Sequence, residues 1–225
     1  DYLGWSEMIY NHITVKVPGP EQHFLINPFG LHYSEVKASN LVKVDIHGNI
    51  VEDTDYAVNP AGILIHTAIH AARTDIQCIA HTHTNAGMAV ACTQEGLRAD
   101  NFYSALMHNQ IAYHNFEGIT VMDDEKSRLV ANLGNKSLMI LRNHGLLAGG
   151  RSIPEAFQNL WAIERACQVQ VTTDSTGRPS IPIGPEILAK SEQLVAIQGI
   201  GEPTGELEFK AFTRLIDKID SSYKD

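Results

Sequence analysis

Hydrophobic and polar residues alternate with a period of two through the first third of the chain. The segments HITVKV (12–17), HFLIN (23–27) and LVKVDI (41–46) follow this period, and stretches rich in Gly, Pro and Asn separate them. A period of two is typical of strands with one buried face. The pattern therefore predicts three strands in this part of the chain.

The period then changes to that of a helix. In AGILIHTAIHAAR (61–73) apolar residues recur at three- and four-residue intervals, and Pro60 precedes them, where a helix start tolerates proline. The segments AGMAVACTQEG (86–96) and DEKSRLVANLG (124–134) are also predicted as helices, each closed by its final glycine.

Buried strands and one long helix are predicted from the remaining apolar runs. IQCIAHTH (76–83) indicates one strand, and SLMILRNHGLLAGG (137–150) indicates two short strands broken at Asn143–Gly145. In SIPEAFQNLWAIERACQVQVTT (152–173) apolar residues have helical spacing, and the serine and glutamate at its start have the spacing of a capping box.

Strands and helices mixed in this way predict one α/β domain over residues 1–225. Residues 174–185 are rich in Gly, Pro and Ser and predict a loop, so residues 174–225 form a helical C-terminal extension of that domain. This extension is expected to pack on itself or on a neighbouring subunit. The first residue is not a methionine, so we expect N-terminal residues to be missing.

Composition narrows the class of protein. The chain has 225 residues, 44% of them hydrophobic and 19% charged, which is the profile of a globular protein. Its net charge is −9, and no cluster of Lys and Arg offsets it, so we expect no nucleic-acid partner and no anionic membrane surface. No apolar run approaches the roughly 20 residues that span a bilayer. The odd number of cysteines, three, predicts free thiols and a cytoplasmic location.

Three histidines are candidate metal ligands. His81 and His83 lie two apart at the end of a predicted strand and so share one side of it, while His144 follows another apolar run. Strand ends in α/β folds gather site residues, and three imidazoles with a fourth position open match a catalytic metal site. Gly145 is expected to let the backbone turn sharply after the ligand. The alternative is three unrelated histidines, each bonded to a backbone carbonyl.

A second histidine pair competes with this set. His66 and His70 lie four apart on one face of a predicted helix, which is also a usable ligand spacing. Thr67 stands where a helical zinc motif carries its acid, so a structural role is favoured for the pair, although one of the two histidines could still line the site.

Four segments together resemble the class II aldolase/adducin family. They are HTHTNAGMAVA, AYHNFEGI, LRNHGLLAGG and EAFQNLWAIERACQVQ, and the similarity runs over nearly the whole chain. The resemblance implies a three-layer α/β/α sandwich with a central, largely antiparallel sheet. It also implies a homotetramer and a divalent metal, zinc first and manganese or iron as alternatives, on His81, His83 and His144.

The chain departs from the family's aldolases at residues 59–62, NPAG. Two serines that hold a substrate phosphate, and a glutamate that shuttles a proton, align with Pro60, Ala61 and Gly62. Asn11 and Gly30 align with phosphate-contacting positions and are the predicted substrate-binding residues, although Gly30 is equally explained as a turn glycine.

The segment NPAGILIHTAIHAA is most similar to the adducin-type branch, including its bacterial members. Animal adducins bind cytoskeletal partners through a long tail, and the chain stops at Asp225 without one, so spectrin or actin binding is not expected.

Three functions follow from the resemblance. The first is a metal-dependent aldehyde-lyase that acts on a small carbonyl or sugar-type substrate, with an unidentified base. Its candidate bases are His66, Tyr113, His114 and Glu117, each of which has a plain structural alternative. The second is a decarboxylase or oxidative enzyme that uses the same metal site. The third is a non-catalytic assembly module similar to adducin.

Overall fold

A computed structural model describes residues 1–118, 123–195 and 203–225. Within these ranges, seven strands form one sheet. In chain order they are β1 (His12–Lys16), β2 (Phe24–Ile26), β3 (Val42–Val44), β4 (Cys78–Thr82), β5 (Ile111–His114), β6 (Leu138–Leu141) and β7 (Gly145–Gly150). The order across the sheet is β3-β2-β1-β4-β7-β6-β5. Every neighbouring pair is antiparallel except β5 and β6, which confirms the largely antiparallel sheet.

Helices cover both faces of this sheet. They are α1 (Pro60–Ala72), α2 (Asn85–Ala91), α3 (Phe102–Met107), α4 (Asp123–Leu133), α5 (Ile153–Ser175), α6 (Pro185–Val195) and α7 (Glu206–Ile219). One core cluster joins α1 and α4 to Ile79 of β4, while another joins α2, α3 and α5 to the next residue, Ala80. Because successive strand residues point to opposite faces, both faces are buried. The three-layer α/β/α fold is thereby confirmed.

Most predicted elements are present within a few residues of their expected limits. Helix α1 begins at Pro60, and the Asn59 side chain accepts a hydrogen bond of 3.1 Å from the amide of Ala61, which caps the helix. Gly134 has a φ of +56° and follows α4, as expected of a helix-closing glycine. Helix α3 and strand β5 are additional elements that the periodicity did not indicate.

Helix α2 is shorter than predicted, because it ends at Ala91 rather than near Gly96. Residues 93–95 are polar and exposed, so they offer nothing to bury if the helix continued. Gly96 is needed for another reason: a Cβ there would lie 2.5 Å from the ring of Tyr113.

Half of the predicted capping box at the start of α5 is formed. The Ser152 hydroxyl accepts a hydrogen bond of 3.2 Å from the Glu155 amide. The Glu155 carboxylate, however, accepts from the amide of Arg151 at 2.6 Å, one residue earlier than the motif requires.

The C-terminal extension contacts α5 of the same chain. The ring of Phe157 lies 5.7 Å from that of Phe209 and 5.3 Å from that of Phe212, both on α7. Helix α7 of the extension therefore packs on α5 within one chain. Among the described residues, no helix combines the length and apolar character needed to cross a membrane.

Candidate functional site

The three predicted ligands are brought to one edge of the sheet by strand direction. His83 directly follows β4, and His144 directly precedes β7. The two strands are antiparallel, with Thr82 opposite Leu146, so the end of one lies beside the start of the other. Asn143, with a φ of +58°, makes the turn that returns the chain from β6 into β7.

The imidazoles of these histidines converge on one point. Nε2 of His83 lies 2.8 Å from Nε2 of His81 and 3.0 Å from Nε2 of His144. One ligand atom from each of the three lies within 4.8 Å of the others. Three imidazole nitrogens held this close, two from the end of β4 and one from before β7, have the donor set of an open three-histidine metal site.

Two contacts orient this set. Nδ1 of His81 lies 2.8 Å from the carbonyl oxygen of Leu146, to which it donates, so that the lone pair is on Nε2. The amide of His83 donates to Oδ1 of Asn11 at 3.1 Å. The first contact is of the kind that usually fixes the ring and tautomer of a ligating histidine, whereas the second positions the backbone of His83.

The surroundings keep these imidazoles neutral. Burial, and then the neighbouring His12, lowers the pKa of His81 well below its ordinary value. Burial, and then His83, lowers the pKa of His144 to about 4. Burial also lowers the pKa of His83, against the opposing effect of Glu7. A metal ligand must offer a lone pair, so neutral rings at neutral pH fit a divalent ion.

Gly145 has a different role from the sharp turn expected of it. Its φ is not positive, and the left-handed residue of this turn is Asn143. A Cβ at Gly145 would lie 2.3 Å from the carbonyl oxygen of Thr82 and 3.2 Å from the His83 ring. The glycine is therefore required because β4 and the histidine set approach the backbone so closely.

The space beside Gly62, where the resemblance predicts a missing acid, is occupied by the ring of another histidine, His12. A Cβ on Gly62 would lie 2.5–2.8 Å from three ring atoms of His12. The His12 ring also lies 4.5 Å from the ring of His66 and 4.9 Å from that of His81. Its Nε2 is buried without a hydrogen-bond partner in the structure. His12 was not among the predicted site residues, because the period of two in HITVKV (12–17) indicates a strand and carries no sign of chemistry at its first residue.

The competing pair, His66 and His70, is hydrogen-bonded to one hydroxyl of the sheet, that of Thr14. Nδ1 of His66 and Nε2 of His70 lie 2.8 and 2.9 Å from Oγ1 of Thr14. Nδ1 of His70 also lies 3.3 Å from the carbonyl oxygen of Ile76, and its ring stacks on Phe24. These contacts support the structural interpretation of this pair.

The two predicted substrate-binding residues lie in different surroundings. Asn11 is buried beside His83, and its Nδ2 donates to the carbonyl oxygen of Trp5 at 2.5 Å, so both ends of its amide are bonded within the chain. Gly30 is exposed and has a φ of +106°. That conformation fits the turn-glycine alternative.

The four candidate bases differ in burial, in hydrogen-bond partners and in their distance from the histidine site. Tyr113 points to the opposite face from His114, and its hydroxyl accepts from the Leu97 amide at 3.0 Å. Glu117 is exposed and bonded to Arg128. His66 is fully buried, whereas His114 and Glu117 line a small cavity together with His144. Glu125, which the sequence analysis did not single out, lines it as well.

Comparisons with known proteins agree with this architecture. Residues 1–171 match the family described as Class II Aldolase and Adducin N-terminal domain. The crystal structure of an aldolase II superfamily protein from Pseudomonas syringae has a TM-score of 0.93 and 45% identity, and the alignment covers 100% of this chain and 90% of that one. An L-fuculose 1-phosphate aldolase from Glaciozyma antarctica PI12 has a TM-score of 0.86 and 27% identity, over 100% of this chain and 86% of that one. Alpha-adducin from Rattus norvegicus is 44% identical over 97% of this chain, which spans 31% of that protein.

Proposed function

This chain belongs to the class II aldolase and adducin family, and from that membership we propose that it is a metal-dependent aldehyde-lyase acting on a small carbonyl substrate. The observation that carries the proposal is the convergence of three Nε2 atoms, from His81, His83 and His144, at the edge of the sheet. Members of this family usually bind a divalent metal, and the donor set here suits one.

We propose zinc as the ion, with manganese and iron as alternatives, because imidazole nitrogen suits all three. When bound, the ion supplies Lewis-acid polarisation of a substrate carbonyl. The Leu146 carbonyl and the Asn11 side chain hold the ligands in place, so they contribute rigidity rather than chemistry.

The substrate is proposed to be unphosphorylated or held by contacts unlike those of the family's sugar-phosphate aldolases. Pro60 and Ala61 offer no hydroxyl where those enzymes are expected to carry phosphate-binding serines. Asn11 and Gly30 stay the predicted binding residues, with Asn11 adjoining the site through the His83 amide.

Self-association into a homotetramer is part of the proposal. Phe116 is 54% exposed although its ring lies 6.3 Å from that of His144, so an apolar side chain stands uncovered beside the site. A neighbouring subunit would cover it. The sedimentation coefficient of the protein tests this state directly.

A second candidate is a non-catalytic module similar to adducin. It is favoured by one observation: the His12 ring fills the volume that a side chain at position 62 would need. The identity of 44% with rat alpha-adducin agrees with it. A protein that binds metal but turns over no carbonyl substrate would favour this candidate.

The first test is the metal content of protein purified without chelators or added metal, followed by a panel of hydroxy-ketone substrates. We expect about one ion per chain and release of an aldehyde. His83→Ala should abolish metal binding and leave the fold intact, while His47→Ala, which changes an exposed histidine, should leave metal binding unchanged. Equal metal content in His83→Ala and the parent protein would contradict the proposed site.

A further inference from the structure

A buried acid on α5 is hydrogen-bonded to the turn that follows the histidine-bearing end of β4. Glu164 is 2% exposed, and its Oε2 accepts a hydrogen bond from the hydroxyl of Thr84. Its Oε1 accepts from the side-chain amide of Gln168 at 2.9 Å. Both oxygens therefore act as acceptors, which fits an ionised carboxylate held by neutral side-chain donors.

Opposing effects act on this carboxyl group. Burial raises the pKa of Glu164. The effects that lower it come from Thr84, Gln168, Arg165 and the amide of Gly87. Burying a carboxylate is costly unless it is hydrogen-bonded, so the contact between Glu164 and Thr84 is costly to break.

Thr84 links this acid to the histidine set. It directly follows His83 in the chain, and its Oγ1 accepts a hydrogen bond from the amide of Gly87 at 3.3 Å, which caps α2. The hydroxyl thus donates to Glu164 and accepts from the first turn of α2. Because Thr84 is held on both sides, the backbone of His83 beside it has little freedom to move.

The same turn packs against the residue that orients a second histidine. A Cβ on Gly87 would lie 2.7 Å from the side chain of Leu146. The carbonyl oxygen of Leu146 is the acceptor for Nδ1 of His81. Movement of this turn would therefore displace His83 directly and His81 through Leu146.

We infer that Glu164 is a positioning residue, which acts through Thr84 to hold His83 where the three Nε2 atoms converge. The inference rests on the proposed function, because it concerns the proposed metal site. Helix α5 is 23 residues long and packs on β4 and β7, so it gives the carboxylate a fixed support. Asn11 bonds the amide of His83 from β1, and Glu164 holds the next residue from α5.

The test is the zinc affinity of the metal-free full chain, measured by isothermal titration. We expect Thr84→Val, which removes the hydroxyl and keeps the shape of the side chain, to weaken zinc binding by about 10–100-fold. Glu164→Leu should weaken it to a similar extent. Thr84→Ser keeps the hydroxyl and should restore most of the affinity, which a purely structural role would not predict.

A double variant and a control on the same helix separate positioning from packing. If the two side chains act as one unit, Thr84→Val/Glu164→Leu should lose no more affinity than the weaker-binding single variant. The double variant also removes the buried charge that Thr84→Val leaves without its donor, so it can be measured even if Thr84→Val folds poorly. Ile163→Val shortens a fully buried side chain next to Glu164 and should leave the affinity unchanged.

The absorption spectrum of cobalt-loaded protein adds a readout of ligand geometry, to which the ligand-field bands of the ion respond. The bands of the parent protein and Thr84→Ser should coincide. Those of Thr84→Val should shift, because His83 is no longer held in place.

The outcomes distinguish the inference from the proposed function. Zinc affinity and cobalt spectra that match the parent protein in both Thr84→Val and Glu164→Leu would overturn the inference alone. An equal loss of affinity in Ile163→Val would also overturn it, since the effect would then be one of packing. A parent protein that binds no zinc would overturn the proposed metal site, and the proposed function with it.

Discussion

At the residue scale, the glycine at position 62 and the ring of His12 depend on each other, because both concern the same small volume. The ring atoms of His12 take the space in which a Cβ at position 62 would stand, at 2.5–2.8 Å. A carboxylate introduced by Gly62→Glu would need that Cβ, so the single substitution cannot restore a proton-shuttling acid without moving the histidine. A side chain at position 62 and the present place of the His12 ring therefore exclude each other.

We expect Gly62→Ala to lower the free energy of unfolding by about 1–3 kcal/mol, which is the usual effect of overpacking a core. Gly184→Ala is the matched control, since no atom lies within 4 Å of its Cβ and its φ is not positive. Urea unfolding measures both. In the double variant His12→Ala/Gly62→Ala, the two effects should be strongly non-additive. A Gly62→Ala protein as stable as its parent would show that the His12 ring can move at no cost.

At the element scale, the pairing of β4 with β7 decides whether the histidine set forms. The two strands run antiparallel through five residue pairs, from Cys78 opposite Gly150 to Thr82 opposite Leu146. His83 and His144 are placed chiefly by the ends of these strands, and the Asn11 side chain adds one hydrogen bond to the His83 amide. A small shift between the strands would therefore separate the Nε2 atoms.

Gly145→Ala tests this dependence. Its Cβ would lie 2.3 Å from the carbonyl oxygen of Thr82, so the strands must part, and we expect a loss of more than about 2 kcal/mol of stability. Because the ligands move with the strands, metal affinity should fall as well. Isothermal titration with zinc and urea unfolding of the same preparation measure the two effects. Parent-like metal affinity in a well-folded Gly145→Ala protein would refute the argument.

At the scale of the whole molecule, buried histidines on α1 link stability to pH. Burial lowers the pKa of His70 to about 4 and that of His66 well below its ordinary value. The unfolded chain, in which histidine titrates near its ordinary pKa of roughly 6.5, therefore binds more protons at mildly acidic pH. Stability from these two residues is complete above that pKa and is lost as pH falls toward 4.

The free energy of unfolding of metal-free protein should fall between pH 7 and 5, with a slope of up to about 1.4 kcal/mol per pH unit for each buried histidine. Urea unfolding at several pH values measures the slope. His70→Gln should reduce it, and His47→Gln, at an exposed position, should leave it unchanged. A stability that does not change over this range would show that these rings can be protonated without unfolding.

The helices and strands of this fold could be predicted wherever the segment itself has a clear hydrophobic period. Apolar residues at helical spacing predicted α1 and α5. His81 and His83 were recognised as candidate ligands because two histidines end an apolar strand. The elements that were missed or too long, α3, β5 and the end of α2, lie where short or polar segments give no clear period.

The sequence by itself determined the α/β class, most of the strands and helices, and the three histidines proposed as ligands, since periodicity and residue type express these directly. Only the tertiary structure decided how Gly145 approaches β4, why Gly62 must stay a glycine and which acid lies near the site. His12 and Gly62 are distant in the chain, and Glu125 reaches the cavity from another helix. Such contacts depend on how the layers pack, and no local pattern of residues records that packing.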